Sequence, residues 1–300
     1  MKKEFIISIL ISLTFLFTGF FLLHIGLGGY GISFFVFLPF ILGYLLGKSI
    51  VKSVSLFGLI ISFIIFFSLL IGGGLEGMIC VLMAMPIVFF ATFLGICIKR
   101  VRNQIKEKED DEIHLKSSIF PFLIFLSFSF IEEKLTGNKY EISEVTTELI
   151  LPFSPEEIYD GLINMEKIEY KKSFLMYLNL PIPVNCNLEK VEVGATRICY
   201  SNEGKFIQEI TEIEKNKMIH FNVLNLEITG RKWLGMKSNS YSIEKIDKNN
   251  SKIIEKICYT TELYPRFYWK PLEELGFKQI QKYVLKSLEQ DLKKSKNKSQ

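Results

Sequence analysis

The sequence is poor in the residues from which hydrolytic and metal chemistry is assembled. It holds only three histidines and five cysteines in 300 residues. His24, His114 and His220 lie far apart, with no His/Cys/Asp grouping at metal-ligand spacing, so no metal site is expected. There is no C-x-x-C pair, no G-x-S-x-G elbow and no Ser/His/Asp arrangement, and no catalytic constellation or cofactor signature takes their place. Cys186, Cys199 and Cys258 form an odd trio in the C-terminal half. A disulfide between two of them is open outside the cytoplasm, and spacing does not select the pair. An excess of one charge is lacking as well: 36 Lys+Arg against 32 Asp+Glu leave a net +4. Lys-rich stretches such as residues 292–298 are offset by Glu-rich ones, which leaves nucleic-acid binding without support.

Ionisable side chains are almost missing from residues 5–98, although the whole chain is 23% charged, 49% hydrophobic and of mean hydropathy +0.26. The averages conceal an apolar first part and a charged second part. Residues 5–27, FIISILISLTFLFTGFFLLHIGL, follow Met1-Lys2-Lys3. The run is too long for the apolar core of a signal peptide and no small-x-small cleavage site follows it, so it reads as a membrane span. Residues 32–47, 54–71 and 78–98 are each near the length that crosses ~30 Å of hydrocarbon at ~1.5 Å per residue. Residues 119–131 are shorter, and form either a fifth span or a re-entrant segment. The expectation is therefore a multi-pass region, residues 1–131, with four to five spans in the cell (inner) membrane. Lys2, Lys3, Lys48, Lys52, Lys99, Arg100, Arg102, Lys106 and Lys108 fall at the N-terminus and in alternate connections, which places the N-terminus in the cytoplasm. The C-terminal half is then extracytoplasmic if the fifth segment spans.

Polar groups in the spans are few. His24 and Glu76 sit near the interfaces with no relay between them, which argues against a pump or channel. GYLLG, residues 43–47, fits the small-xxx-small pattern of packed membrane helices. GLGGYG, residues 26–31, matches G-x-G-x-x-G, but it joins two spans with no strand before it and no acid about 20 residues later, so it is a turn and not a phosphate cradle.

After the basic-to-acidic segment 99–116 and a linker at 132–139 carrying a Gly137-Asn138 turn, an aqueous domain is expected over residues 140–294, with a disordered tail at 295–300. Residues 141–153 alternate as a strand. Ser154, Pro155 and Glu157 then make an N-cap, a first helical position and a capping box. Residues 165–175 suggest a second short helix or turn, and Pro181 and Pro183 argue against regular structure over LPIPVNCN. Strands follow at 192–201, 205–214, 217–227, 239–247 and 252–263, joined by the turn clusters SNEG, EKNK and DKNNS. Residues 271–294 close the chain as an amphipathic helix with Leu272, Phe277, Ile280, Val284, Leu288 and Leu292 in one stripe. Glu273, Glu274, Lys278, Lys282, Lys286 and Glu289 fall on its wet face. The order implies an α+β domain, a curved antiparallel sheet around a long C-terminal helix.

LILPFSPEEIYDGL, the VGATR of residues 193–197, FIQEITEIEKNKMIHFNV (206–223) and YTTELYPRFYW (259–269) carry a resemblance. Residues 140–294 resemble the START-like SRPBCC superfamily of helix-grip domains, which includes polyketide cyclases and lipid-transfer domains. More closely, the chain is similar to bacterial membrane proteins that join several spans to such a domain. The resemblance implies an apolar cavity between sheet and helix. Alternation puts Phe206, Gln208 and Ile210 on one face of their strand, and Ile253, Ile257, Tyr259 and Thr261 on one face of theirs. These residues, with Tyr241, Tyr264, Trp269, Phe277, Ile280 and Val284, are cavity or mouth candidates or else pack only against each other. Gln208 stands where related membrane members carry Glu. The leading expectation is a membrane-tethered domain that binds a hydrophobic or amphipathic small molecule, lipid or quinone-like, at the membrane surface, with membrane lipid as its other partner. The alternatives are a cyclase- or dehydrase-type enzyme using Gln208, His220 or a cavity tyrosine, and a non-catalytic sensor or assembly factor that contacts a protein.

Overall fold

The structure, a computed structural model, describes residues 2–26, 28–47, 53–105, 115–136 and 141–298. Lys48, Lys52, Lys106, Lys108, His114 and the Gly137-Asn138 turn lie outside them. The chain divides into two compact units, Met1–Lys139 with Glu262–Trp269, and Tyr140–Thr261 with Lys270–Gln300.

The first unit is helical: α1 (Lys2–His24), a π-helical turn (Ser33–Phe37) that runs into α2 (Leu38–Leu46), α3 (Ser53–Gly72), α4 (Met78–Ile105) and α5 (Leu115–Thr136). Among the described residues two helices are long and apolar enough to cross a membrane by length and composition, Phe5–His24 and Met78–Gln104. This corrects the expected four to five. Ser33–Leu46, Leu56–Gly72 and Leu123–Glu132 are apolar but shorter. At 1.5 Å per residue they reach about 21, 26 and 15 Å, short of the ~30 Å of hydrocarbon.

Glycine lets the helices of this unit meet. A Cβ on Gly43 would run into the Thr92 carbonyl, and one on Gly95 into the Phe40 carbonyl, so α2 and α4 approach backbone to backbone. Glu132, expected in a linker, lies inside α5, and its carboxylate accepts the N–H groups of Ile32 and Ser33 at 2.7 and 2.8 Å. The π-helical turn thus begins with two orphan donors satisfied.

The second unit holds a seven-stranded antiparallel sheet and α8 (Arg266–Lys298), which begins in the first unit. Its strands are β1 (Glu141–Leu151), β2 (Pro183–Leu188), β3 (Thr196–Ser201), β4 (Gly204–Glu214), β5 (Met218–Ile228), β6 (Leu234–Lys245) and β7 (Ser251–Thr261), in the order β1-β7-β6-β5-β4-β3-β2. Strands two to seven are a meander, and β1 adds beside β7. With α6 (Pro155–Ile163) and α7 (Phe174–Tyr177), this is the helix-grip arrangement that the sequence implied. The capping box at α6 is present: Ser154 N donates to Glu157 Oε2 at 2.7 Å and Glu157 N to Ser154 Oγ at 3.3 Å.

Several expectations change in this unit. β2 is a strand in spite of its prolines, because Pro183 is its first residue and β2 is an edge, where a missing N–H costs nothing in the ladder. Residues 165–173 run extended along β2, with Ile168 N to Val184 O at 2.9 Å and Cys186 N to Glu166 O at 2.8 Å, and the short helix comes later, at α7. α8 starts before Pro271, which lies inside it, and continues past Lys294 into the expected tail.

Glu273 is not on a wet face: it is buried, accepting from Tyr259 Oη at 3.0 Å and Thr261 Oγ1 at 2.9 Å. Two turns on, buried Gln281 accepts from Thr147 Oγ1 at 2.7 Å and donates to the carbonyls of Val145 and Glu255, each at 3.0 Å. Phe277 lies between them and meets the Tyr259 ring at 4.4 Å. α8 is therefore fixed to β1 and β7 by directional bonds as well as by apolar contact.

Gln281→Leu keeps the volume and removes all three bonds. It is expected to lower the stability of the grip unit by about 3 kcal/mol, at ~1 kcal/mol per bond, read as a lower unfolding midpoint of the full chain in detergent. An unchanged midpoint would show that the Gln281 bonds do not help to hold α8.

Candidate functional site

Beneath α8 the sheet does not close completely on the helix, and a cavity of about 60 Å³ lies between them. Arg197 and Cys199 from β3, Phe206 and Gln208 from β4, Asn239 and Tyr241 from β6, and Glu255 and Ile257 from β7 line it, under Phe277, Ile280 and Val284 of α8. These positions follow the period-two alternation of each strand, and register aligns them: Arg197 opposes Gln208, Tyr241 opposes Glu255 and Asn239 opposes Ile257. Gln208 sits beside an irregularity in the β4–β5 register between Ile207 and Gln208, a place where a strand re-aims its side chains.

The sheet parts at one end of this cavity. β5 and β6 pair only from Met218↔Ser242 to Asn222↔Ser238. Beyond that point β5 continues to Ile228 paired only with β4, and β6 begins at Leu234 paired only with β7. Ile228, Leu234 and Met236, on the diverging stretches, belong to the lining. The gap forms an apolar mouth.

The walls are apolar, but the floor is polar and buried. Gln208 is 0% exposed, Glu255 2%, Tyr241 3%, Arg197 6% and Asn239 7%. Glu255 Oε1 accepts from Tyr241 Oη at 3.0 Å and Asn239 Nδ2 at 3.4 Å, and Asn239 Nδ2 also donates to Tyr241 Oη at 3.2 Å. Gln208 Nε2, Asn239 Oδ1 and Glu255 Oε2 have no protein hydrogen-bond partner. Arg197 places its guanidinium 4.9 Å from the centre of the Phe221 ring. Burial pushes the Glu255 carboxyl up to about 7, against the opposing pull of the Tyr241 and Asn239 hydrogen bonds and the Arg197 charge. Burial and the neighbouring Glu255 raise the Tyr241 phenol. Near neutral pH this is a half-protonated carboxyl facing a cation in a buried wall.

Of the residues singled out in the sequence, Phe206, Gln208, Tyr241, Ile257, Phe277, Ile280 and Val284 lie on this lining. Tyr259 and Thr261 do not: Glu273 holds both hydroxyls, and Tyr259 packs in the core with Val145, Ile257 and Phe277. Ile210 is fully buried away from the cavity. Tyr264 and Trp269 belong to the helical unit, where Tyr264 N donates to Tyr30 O at 2.8 Å and Trp269 lies 4.7 Å from the Phe35 ring. His220 alternates with the buried Ile219 and Phe221, so it points to the other face, with Nδ1 2.7 Å from Thr211 Oγ1. It is not a cavity base.

Cys186 and Cys199, directly opposite on β2 and β3, are joined as a disulfide in the cavity wall, while Cys258 is free. Glu255, Arg197 and Asn239 are polar lining residues that were not among the candidates from the sequence. The signal was the same alternation: Glu255 stands two residues from both Ile253 and Ile257, and Asn239 two from Tyr241.

No family model matches the chain, and no curated protein matches it. Solved structures do resemble its C-terminal half. An aromatase/cyclase from a Streptomyces species is 10% identical, over 51% of this chain and 94% of its own, with a TM-score of 0.38. Norcoclaurine synthase from Thalictrum flavum, in complex with dopamine and hydroxybenzaldehyde, is 11% identical over 52% of this chain and 88% of its own, at 0.37. A START superfamily protein from Mycobacterium smegmatis is 12% identical over 50% and 97%, at 0.38.

Because the Glu255 carboxyl titrates near 7 in the fold against 4.5 in the open chain, its neutral form is the one the fold favours. Its contribution is fully present below about pH 4.5 and is lost as pH rises through about 7. Glu255→Gln removes that loss, so between pH 5 and 8 the variant should gain on the wild type by up to about 3 kcal/mol. Parallel stability curves in denaturant titrations across that range would contradict the assignment.

Proposed function

We propose that this chain is a membrane-tethered binding protein whose helix-grip domain encloses the polar end of a hydrophobic or amphipathic small molecule, of lipid or quinone-like character, at the membrane surface. One observation carries the reading. Gln208 Nε2, Asn239 Oδ1 and Glu255 Oε2 are buried without a protein partner on the lining of a single cavity. Each such group costs roughly 1–3 kcal/mol unless something bonds it, and three in one place mark a position that a polar group is meant to fill. Water alone would satisfy them. The apolar walls from Phe206, Ile257, Phe277 and Ile280, and a mouth between parted strands, serve a hydrocarbon that water does not bring. At about 60 Å³ the enclosed space takes a head group, against the roughly 300–1,000 Å³ of pockets that swallow a whole ligand. The remainder of the molecule then lies in the mouth.

The helices Phe5–His24 and Met78–Gln104 supply the tether. Anchoring the domain beside the bilayer raises the local concentration of any apolar ligand leaving it. The Glu255 carboxyl, poised near neutrality beside Tyr241, also favours a cyclase- or dehydrase-type reaction on the bound molecule. Undiminished turnover in Glu255→Gln would exclude that role.

Native mass spectrometry of the full chain, extracted in mild detergent, should show an adduct that Ile257→Trp abolishes by filling the cavity. Wild-type protein without an adduct would count against the binding reading. Separately, the chain should stay in the membrane pellet through alkaline carbonate extraction, and its release would remove the tether.

A further inference from the structure

Two features of the polar floor bear on what it binds. The first is a pair of donors. Arg197 and Gln208 are direct partners in the β3–β4 register, so their side chains leave the same face about 5 Å apart at Cβ. Gln208 Nε2 has no protein partner, and among the described residues no hydrogen bond or ion pair to a protein group occupies the Arg197 guanidinium, which lies over the Phe221 ring and within electrostatic reach of Glu255 and Tyr241. The carboxyl within electrostatic reach of Arg197 is Glu255, and its partial protonation near neutral pH leaves the buried cation incompletely compensated. The second is on β7, where Glu255 Oε1 already accepts from Tyr241 and Asn239, so in the neutral carboxyl the proton sits on Oε2, the oxygen that has no protein partner. The residues facing Glu255 that carry or can carry charge are Arg197 on β3 and Tyr241 on β6.

From this arrangement, and resting on the binding reading above, we propose that the cavity is a site for a monocarboxylic acid, with its carboxylate held by Arg197 and Gln208 and its hydrocarbon passing out through the mouth between β5 and β6. The carboxylate supplies the missing counter-charge to Arg197, and its planar pair of oxygens suits guanidinium and amide N–H groups standing side by side. Neutral Glu255 donates its Oε2 proton to the same head group, which a second anion in the floor would instead repel. When Glu255 is protonated the floor carries the single positive charge of Arg197, which matches a monoanion better than a phosphate dianion. Ile228, Leu234 and Met236 line the exit with apolar surface.

The test is titration calorimetry of the full chain in lipid nanodiscs with two probes of equal length, hexanoate and hexanamide. Hexanoate should bind at least tenfold more tightly, and Arg197→Gln should erase the preference while Arg197→Lys keeps part of it. Circular dichroism of each variant verifies the fold, and if Arg197→Gln does not fold, the wild-type preference decides. Equal binding of the two probes, or tighter binding of the amide, overturns the carboxylate and leaves the broader binding reading standing. Absence of binding by both also overturns it, and the adduct seen in native mass spectrometry then judges the broader reading on its own.

Discussion

The C-terminal half is governed by the requirement that hydrogen-bonding groups taken out of water find partners. Along α8 the requirement is met. Glu273 takes the hydroxyls of Tyr259 and Thr261, and Gln281 spans Thr147, Val145 and Glu255, so two polar residues on one helical face fix the helix over β1 and β7. A few ångströms of sheet away the requirement is not met within the protein: Gln208 Nε2, Asn239 Oδ1 and Glu255 Oε2 stay unbonded. The contrast separates a clamp from a site. The same helix that is held rigidly at Glu273 and Gln281 presents Phe277, Ile280 and Val284 as the roof of the cavity.

The parted strands follow from the same logic. A ladder that ran the full length of β5 and β6 would satisfy more backbone and seal the sheet. Stopping it at Asn222↔Ser238 leaves one end of the sheet parted beside the cavity.

Much of this was legible in the sequence because it depends on local patterns. The capping box at Ser154, the alternating strands and the apolar stripe of the last helix each have a period that residue types declare, and together they gave the α+β grip order. What failed involved context. Proline rules hid β2, since an edge position cannot be seen without knowing the neighbours. Glu273 read as a wet-face residue because its two hydroxyl partners come from a strand 12 to 14 positions earlier. Glu255 was visible by alternation but was passed over in favour of the hydrophobic residues around it. The helical half was overcounted because apolar runs were measured as if each were one straight span. A π-helical turn and short apolar lengths reduce the described helices that can cross to two. Close glycine contacts at Gly43 and Gly95, and the Glu132 carboxylate on the Ile32 and Ser33 N–H groups, organise that unit instead.

The claim on which the account turns is that the polar floor under α8 is completed by an organic molecule. An experimental density map of the full chain, purified without harsh detergent, addresses it directly. The account predicts continuous non-protein density whose polar end lies within hydrogen-bond distance of Gln208 Nε2 and Glu255 Oε2 and whose remainder runs toward Leu234 and Met236. Isolated water peaks bridging Gln208, Asn239 and Glu255, with the mouth closed over them, would contradict it.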